Sequence, residues 1–217
     1  MPKDERRGST GRRARDAFTL LELLVVIAIL AVLGGLLFPA AGAARGFAQK
    51  TRTRAQFSQW ALAFEQFRAD YGSYPGVDSS GRIDPIRFVA ALTGHDPAGT
   101  PLTGASLFGN LRRARYYSPT HSEWLVDDTA PATAGELIDG FRNSQLVVMV
   151  DRDGDGVIQG AEIVRSALAG GNSRDGFTPT VEPVDADLAG SGVIRAGVAF
   201  YSAGRATAGT DYVFSWK

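Results

Sequence analysis

The chain has 217 residues, 44% of them hydrophobic, with 23 basic and 23 acidic side chains and no cysteine. That length supports one domain with a sizeable core, and the missing thiols exclude disulfide staples, thiolate metal sites and cysteine nucleophiles. Two histidines, His95 and His121, argue against a multi-histidine metal centre.

Charge is unevenly placed. Residues 1–17 hold six basic and three acidic side chains, a surplus of three positive charges that the remaining 200 residues balance. A basic start ahead of a mildly acidic body argues against a nucleic-acid binder, which needs its basic face on the folded part. It fits a chain whose N-terminus stays in the cytoplasm while its body crosses a membrane. Residues 18–38 follow, 21 residues with one charge, then Pro39. As a helix rising ~1.5 Å per residue this run reaches about 30 Å, the thickness of a bilayer's hydrocarbon core. It is too long for the apolar core of a cleaved secretory signal, and it continues into a helical pattern. A plain anchor fits the length but leaves Glu22 unexplained. A carboxylate deep in such a helix costs roughly 3 kcal/mol and marks a function with a partner. The sequence places no lysine or arginine within one turn of it. If the chain is cut before Phe18, the new α-ammonium of a neighbouring subunit supplies the counter-charge and specifies register.

The run AFTLLELLVVIAILA, residues 17–31, resembles the prepilin leader and cleavage/methylation motif of type IV pilins and type II secretion pseudopilins. The resemblance implies that a prepilin peptidase cuts between Ala17 and Phe18 and methylates Phe18, and that Glu22 is the assembly residue. It also accounts for Pro39 within the helix. Glycine usually precedes the cut, where this chain has Ala17. The implied partners are the lipid bilayer, other pilin or pseudopilin subunits, the peptidase and an inner-membrane assembly platform. The implied location is the inner membrane, single-pass, with the head outside, and then the pilus or pseudopilus. The implied fold is α+β, a long N-terminal helix packed on a small antiparallel sheet. The segments are a leader (1–17), a transmembrane helix (18–39), an amphipathic continuation (40–71) and a head (72–217).

Beyond the membrane, Phe57, Trp60, Phe64, Phe67 and Tyr71 recur at spacings of three and four. This places them on one helix face, the seam for a sheet. Gly72 and Pro75 end that helix, and the YGSYP run, residues 71–75, resembles the same junction in pseudopilins. Residues 76–145 read as a variable insertion with short helices over 86–92 and 107–115 and a loop over 130–134. Arg112, Arg113 and Arg115 read as a solvated basic cluster.

Residues 145–150 form a β-branched apolar run, a buried strand. The twelve residues after it, DRDGDGVIQGAE, satisfy the EF-hand calcium loop position by position. Asp151, Asp153 and Asp155 supply monodentate oxygens, Val157 its carbonyl, Gln159 a direct or water-borne contact and Glu162 a bidentate closure. Gly156 permits the sharp turn and Ile158 anchors the loop to the core. Four carboxylates this close repel one another unless a divalent cation neutralises them. The alternative is an acidic turn chosen for turn chemistry alone. A strand precedes the loop, so a paired-helix EF-hand is not expected, and only 162–168 can be a helical exit. Many pseudopilins carry a structural calcium in the head, which the resemblance extends to this loop.

Residues 138–144 resemble a degenerate form of the pseudopilin Asp-x-Trp-Gly-Asn-Pro turn, with Phe141, Arg142 and Ser144 at the departures. Residues 198–204 and 211–217 resemble its closing hairpin. No nucleophile elbow or phosphate loop is present, so a membrane-anchored hydrolase is the weakest reading and a non-enzymatic subunit the strongest. The competing non-enzymatic reading is a membrane-anchored calcium-binding module that does not assemble into filaments.

Overall fold

A computed structural model of the chain describes residues 20–76, 81–125, 135–163, 168–169, 180–181, 193–204 and 212–216, with positions 36–40, 125, 168–169 and 180–181 described by backbone alone. The chain divides into two compact units, residues 1–45 and residues 46–217. Helix α1, Leu20–Tyr71, contributes to both.

In the first unit, α1 carries Leu20, Leu21, Leu23, Ile27 and Leu30, each more than half exposed. Among the described residues no helix is long and apolar enough to cross a membrane. The fully described part of the apolar run, 20–35, is 16 residues, about 24 Å of helix. The expected span begins at Phe18, which with the whole leader lies outside the described residues.

The second unit is an α+β head built on the rest of α1. Phe57, Trp60, Phe64 and Phe67 are all buried, as their spacing predicts. The helix stops at Gly72, whose φ of 75° and N–H bond to the Arg68 carbonyl at 2.7 Å form a left-handed cap. Helix α2, Pro85–Thr93, agrees with the expectation for 86–92. Asp84 accepts the N–H groups of Ile86 and Arg87 at 2.9 and 3.2 Å, Pro85 opens the first turn, and Gly94 closes the helix at φ 70°. The helix expected over 107–115 does not form. A 3₁₀ turn, Gly104–Leu107, ends at Phe108 in the left-handed region, and Arg113 is left-handed too. One buried apolar residue there, Leu107, gives a helix no face to bury.

Among the described residues nine short strands follow: β1 (Trp124–Leu125), β2 (Glu136–Leu137), β3 (Leu146–Val150), β4 (Ile158–Gln159), β5 (Leu168–Ala169), β6 (Thr180–Val181), β7 (Val193–Ile194), β8 (Val198–Ser202) and β9 (Val213–Phe214). The main sheet is antiparallel, in the order β3-β8-β9, with Val148 opposite Phe200 and Tyr201 opposite Phe214. Along the other edge of β3, the Gly81 carbonyl and Ile83 N–H bond to Val148 and Leu146 at 2.8 and 3.0 Å. β1-β2, β4-β7 and β5-β6 form separate antiparallel pairs.

Every residue of β3 and β8 is buried because both faces of this sheet are covered. Leu146, Val148, Val150, Val198, Phe200 and Val213 pack with Phe57, Trp60, Phe64 and α2. Val147, Met149, Ala199, Tyr201 and Phe214 pack with Ile158, Ile194 and Tyr212. The first layer is aromatic at its centre: Trp60 lies 4.7 Å from Phe88, and Phe64 meets Phe200 edge-on at 5.4 Å. The second is completed by Trp216, 4.9 Å from Phe214.

Candidate functional site

The processing pair, Ala17 and Phe18, lies outside the described residues. Glu22 stands exposed in the first turn of α1, where a carboxylate is favoured by the positive end of the helix dipole.

The acidic loop leaves the core at β3 and returns to it at β4, so each end is pinned by a buried strand. Asp151, 3% exposed, turns its carboxylate inward and accepts the N–H groups of Gly154 at 2.6 Å and Gly156 at 2.9 Å. Asp153 accepts the Asp155 N–H at 3.2 Å, and Asp155 accepts the Val157 N–H and the Gln159 amide, both at 2.9 Å. Gly154 and Gly156 sit at φ 81° and 87°, a region that L side chains rarely adopt, so the sharp turn requires them. Glu162 closes the loop by accepting N–H groups from its two ends, Arg152 at 2.6 Å and Gln159 at 3.3 Å. The exit expected to be helical begins as a 3₁₀ turn, Gly160–Glu162. Residues 164–167 lie outside the described residues, and Leu168 already belongs to β5.

One oxygen from each of Asp151, Asp153 and Asp155 lies within 4.8 Å of the others. Two oxygens bound to one calcium at ~2.3–2.6 Å are at most about 5 Å apart, so this spacing and the all-oxygen donor set fit a hard divalent cation. The electrostatics of the three are those of crowded carboxylates. Burial raises the Asp151 value, but the Gly156 and Gly154 N–H groups, a hydrogen bond with Asp153 and the Arg68 charge bring it below the ordinary aspartate value. The Asp155 N–H lowers the Asp153 value, yet desolvation, the bond with Asp151 and the charges of Asp155 and Glu162 raise it on balance.

A second Asp-led turn, at 138–143, joins the sheet side of the head to α1. Asp139 Oδ1 accepts the N–H groups of Phe141 and Asn143 at 2.8 and 2.9 Å, and Oδ2 accepts the Ser202 hydroxyl at 2.7 Å. Gly140 donates to Thr53 Oγ1 at 3.0 Å and the Ile138 carbonyl accepts from Gln56 at 2.9 Å. A Cβ on Gly140 would come within 2.6 Å of the Gln49 carbonyl, so only glycine allows this approach to the helix. Arg142 adopts φ 66°. Sequence reasoning recorded this turn only as a degenerate likeness. Its signal was Asp139 followed by Gly140 and Asn143, residues suited to turns, between two apolar runs.

Sequence reasoning also missed Arg68. Its guanidinium donates to Tyr74 at 2.8 Å, lies 4.9 Å over that ring, and reaches the edge of the acidic loop: Nη2 is 3.6 Å from where a Cβ on Gly154 would stand. A cavity of about 370 Å³ is lined by both, with Arg68, Tyr74, Asp151, Asp153 and Gly154 in its wall. The remaining candidates are not brought together. His95 Nδ1 lies 2.8 Å from the Thr93 carbonyl, His121 is exposed, and Arg112 lies 5.8 Å over the Tyr71 ring.

A family profile described as the prokaryotic N-terminal methylation motif matches residues 12–38. The chain therefore carries the leader signature of type IV pilins and pseudopilins, which supports a pilin-like or pseudopilin subunit. The same motif implies processing by prepilin peptidase and assembly with other pilin subunits. No curated protein and no solved structure matches the chain.

Proposed function

We propose that the chain is a structural subunit of a type II secretion pseudopilus or a type IV pilus. The leader is removed before Phe18, the apolar helix holds the subunit in the inner membrane with the head outside, and Glu22 pairs with a neighbour's N-methylated ammonium during assembly. The observation that carries this reading is the methylation motif over 12–38, which runs into α1, the helix whose later turns are the buried spine of an α+β head. A carboxylate at the fifth position after the cleavage point is costly in lipid and is balanced by an ammonium at the same depth.

Calcium completes the head in this reading. Asp151, Asp153, Asp155, the Val157 carbonyl, Gln159 and Glu162 would hold it, and the ion would neutralise carboxylates clustered at the end of β3. With no disulfide in the chain, such a clasp stabilises the native state by an amount that grows with the logarithm of calcium over its Kd. The loop and the closing strands β8 and β9 favour the secretion pseudopilin over the pilus subunit.

The test is the intact N-terminal mass of the chain extracted from its own membranes, together with incorporation of Glu22→Ala. A mature chain starting at N-methylated Phe18, with Glu22→Ala inserted in the membrane but absent from filaments, is the expected result. A Met1 or Pro2 start with no incorporation at all would leave the membrane-anchored calcium module. Normal filaments from Glu22→Ala would end the assembly role of that residue.

A further inference from the structure

Arg68 is the one described cation directed at the acidic loop from α1, and nothing in the loop motif itself calls for it. Its orientation is built. Tyr74 OH accepts from Arg68 Nη1 at 2.8 Å and donates to Glu65 Oε1 at 2.6 Å, and the guanidinium lies over the Tyr74 ring. Tyr74 in turn is pressed against Gly197, where any Cβ would fall within 1.9 Å of the hydroxyl. The Gly197 carbonyl accepts the Asp151 N–H at 2.8 Å. The clamp that aims Arg68 is therefore tied to the first residue of the loop. Its Nη2 reaches the Gly154 edge of the loop across the cavity that both line.

We propose that Arg68 sets the cation affinity of the loop, acting as an attenuator held at a fixed distance by Tyr74. This rests on the calcium reading of residues 151–162. Without the ion, the guanidinium offsets part of the carboxylate repulsion and keeps the loop folded. With the ion, the same fixed charge repels it, so binding is weaker than the donor set alone would give. The consequence is a site that needs more calcium to fill than its donor set alone would require.

The experiment is calorimetric titration of the full-length chain in detergent with calcium chloride, at 10 mM and at 500 mM NaCl. Arg68→Gln, Arg68→Met (which keeps an apolar stem over Tyr74) and Arg68→Lys are compared with the wild type. Removing the charge is expected to tighten binding about three- to tenfold at low salt, because the charges lie within a ~30 Å screening length. The gain shrinks below about twofold at high salt, where that length is ~4 Å. Arg68→Lys keeps the charge and stays within about twofold of wild type. The gap between calcium-loaded and chelated thermal midpoints widens in the Gln and Met variants, a change a merely structural role would not produce. Unchanged or weaker affinity in both neutral variants overturns the attenuator while leaving the calcium site intact. A wild-type chain that takes up no calcium overturns the calcium reading and the role of Arg68 with it.

Discussion

Two turns in the head begin with an aspartate of the same exposure and reach opposite ends. Asp139 and Asp151 are each 3% exposed, and each carboxylate accepts two backbone N–H groups of its own loop. Around Asp139 the second carboxylate oxygen is taken as well, by the Ser202 hydroxyl. Burial dominates there and raises the value to about 6, against the hydrogen bonds from Asn143, Ser202 and Phe141. Around Asp151 three further carboxylates follow within eleven residues, and the Arg68 charge offsets part of the load on Asp151. Asx-turn geometry is thus common to both turns and does not by itself mark a cation site. The two differ in the carboxylate oxygens that 151–162 gathers, which are what a hard cation would need.

The sharpest way to break this comparison is at Gly140. Gly140→Ala drives a Cβ into the Gln49 carbonyl and Thr53 Oγ1, at 2.6 and 2.9 Å. Urea unfolding is expected to show a loss of about 3 kcal/mol or more, the scale of an overpacked contact that backbone must relieve. A loss under 0.5 kcal/mol would mean that the turn is not docked on α1.

Asp139→Asn tests the buried carboxylate. Its folded value lies above the ordinary 3.8, so between about pH 4 and pH 6 the native state binds a proton that the unfolded chain releases. That contribution is fully present below pH 4 and is lost as pH rises through 6. The swing of about two units corresponds to about 3 kcal/mol. Asparagine can still accept from Phe141 and Asn143 and donate to Ser202, so the variant is expected to lose this slope and to gain relative to wild type above pH 6. Parallel stability curves from pH 4 to 7 would show that Asp139 stays ionised throughout.

Calcium removal comes next in size. At a hundredfold excess over Kd the ion contributes about 2.7 kcal/mol, so chelation should lower the thermal midpoint of the full-length chain by several degrees and leave Asp139→Asn and wild type equally sensitive. An identical midpoint in saturating calcium and in chelator would make 151–162 an acidic turn like 138–143. The smallest effect is expected at Glu162→Gln. The amide oxygen can still accept from Arg152 or Gln159, so stability in chelator should move by less than about 1 kcal/mol, while calcium titration should show clearly weaker binding from loss of a ligand charge.

Local patterns were legible wherever a single period or a fixed spacing carried them. The aromatic positions from Phe57 to Phe67 faced the core as their spacing required, α2 formed between Asp84 and Gly94, and β3, β8 and β9 formed where apolar runs stood. The helix expected over 107–115 failed because local composition does not reveal that only Leu107 has a core to enter. The tight turn in the acidic loop was readable from Gly156, since left-handed backbone has one cheap residue.

By itself, then, the sequence determined the leader motif, the helical spine, the turn chemistry and the list of candidate cation ligands, because each depends on neighbours a few positions apart. Only the tertiary structure decided what surrounds them. It brought Ser202 to Asp139, Thr53 to Gly140, and Arg68 and Gly197 to the base of the acidic loop, across separations of 46 to 87 residues. Such contacts arise from the packing of α1 against the sheet, which no local pattern encodes. Whether an aspartate ends as a buried strut or is left with charge to offer a cation depends on those distant partners, since they set the charge left uncompensated at the carboxylate.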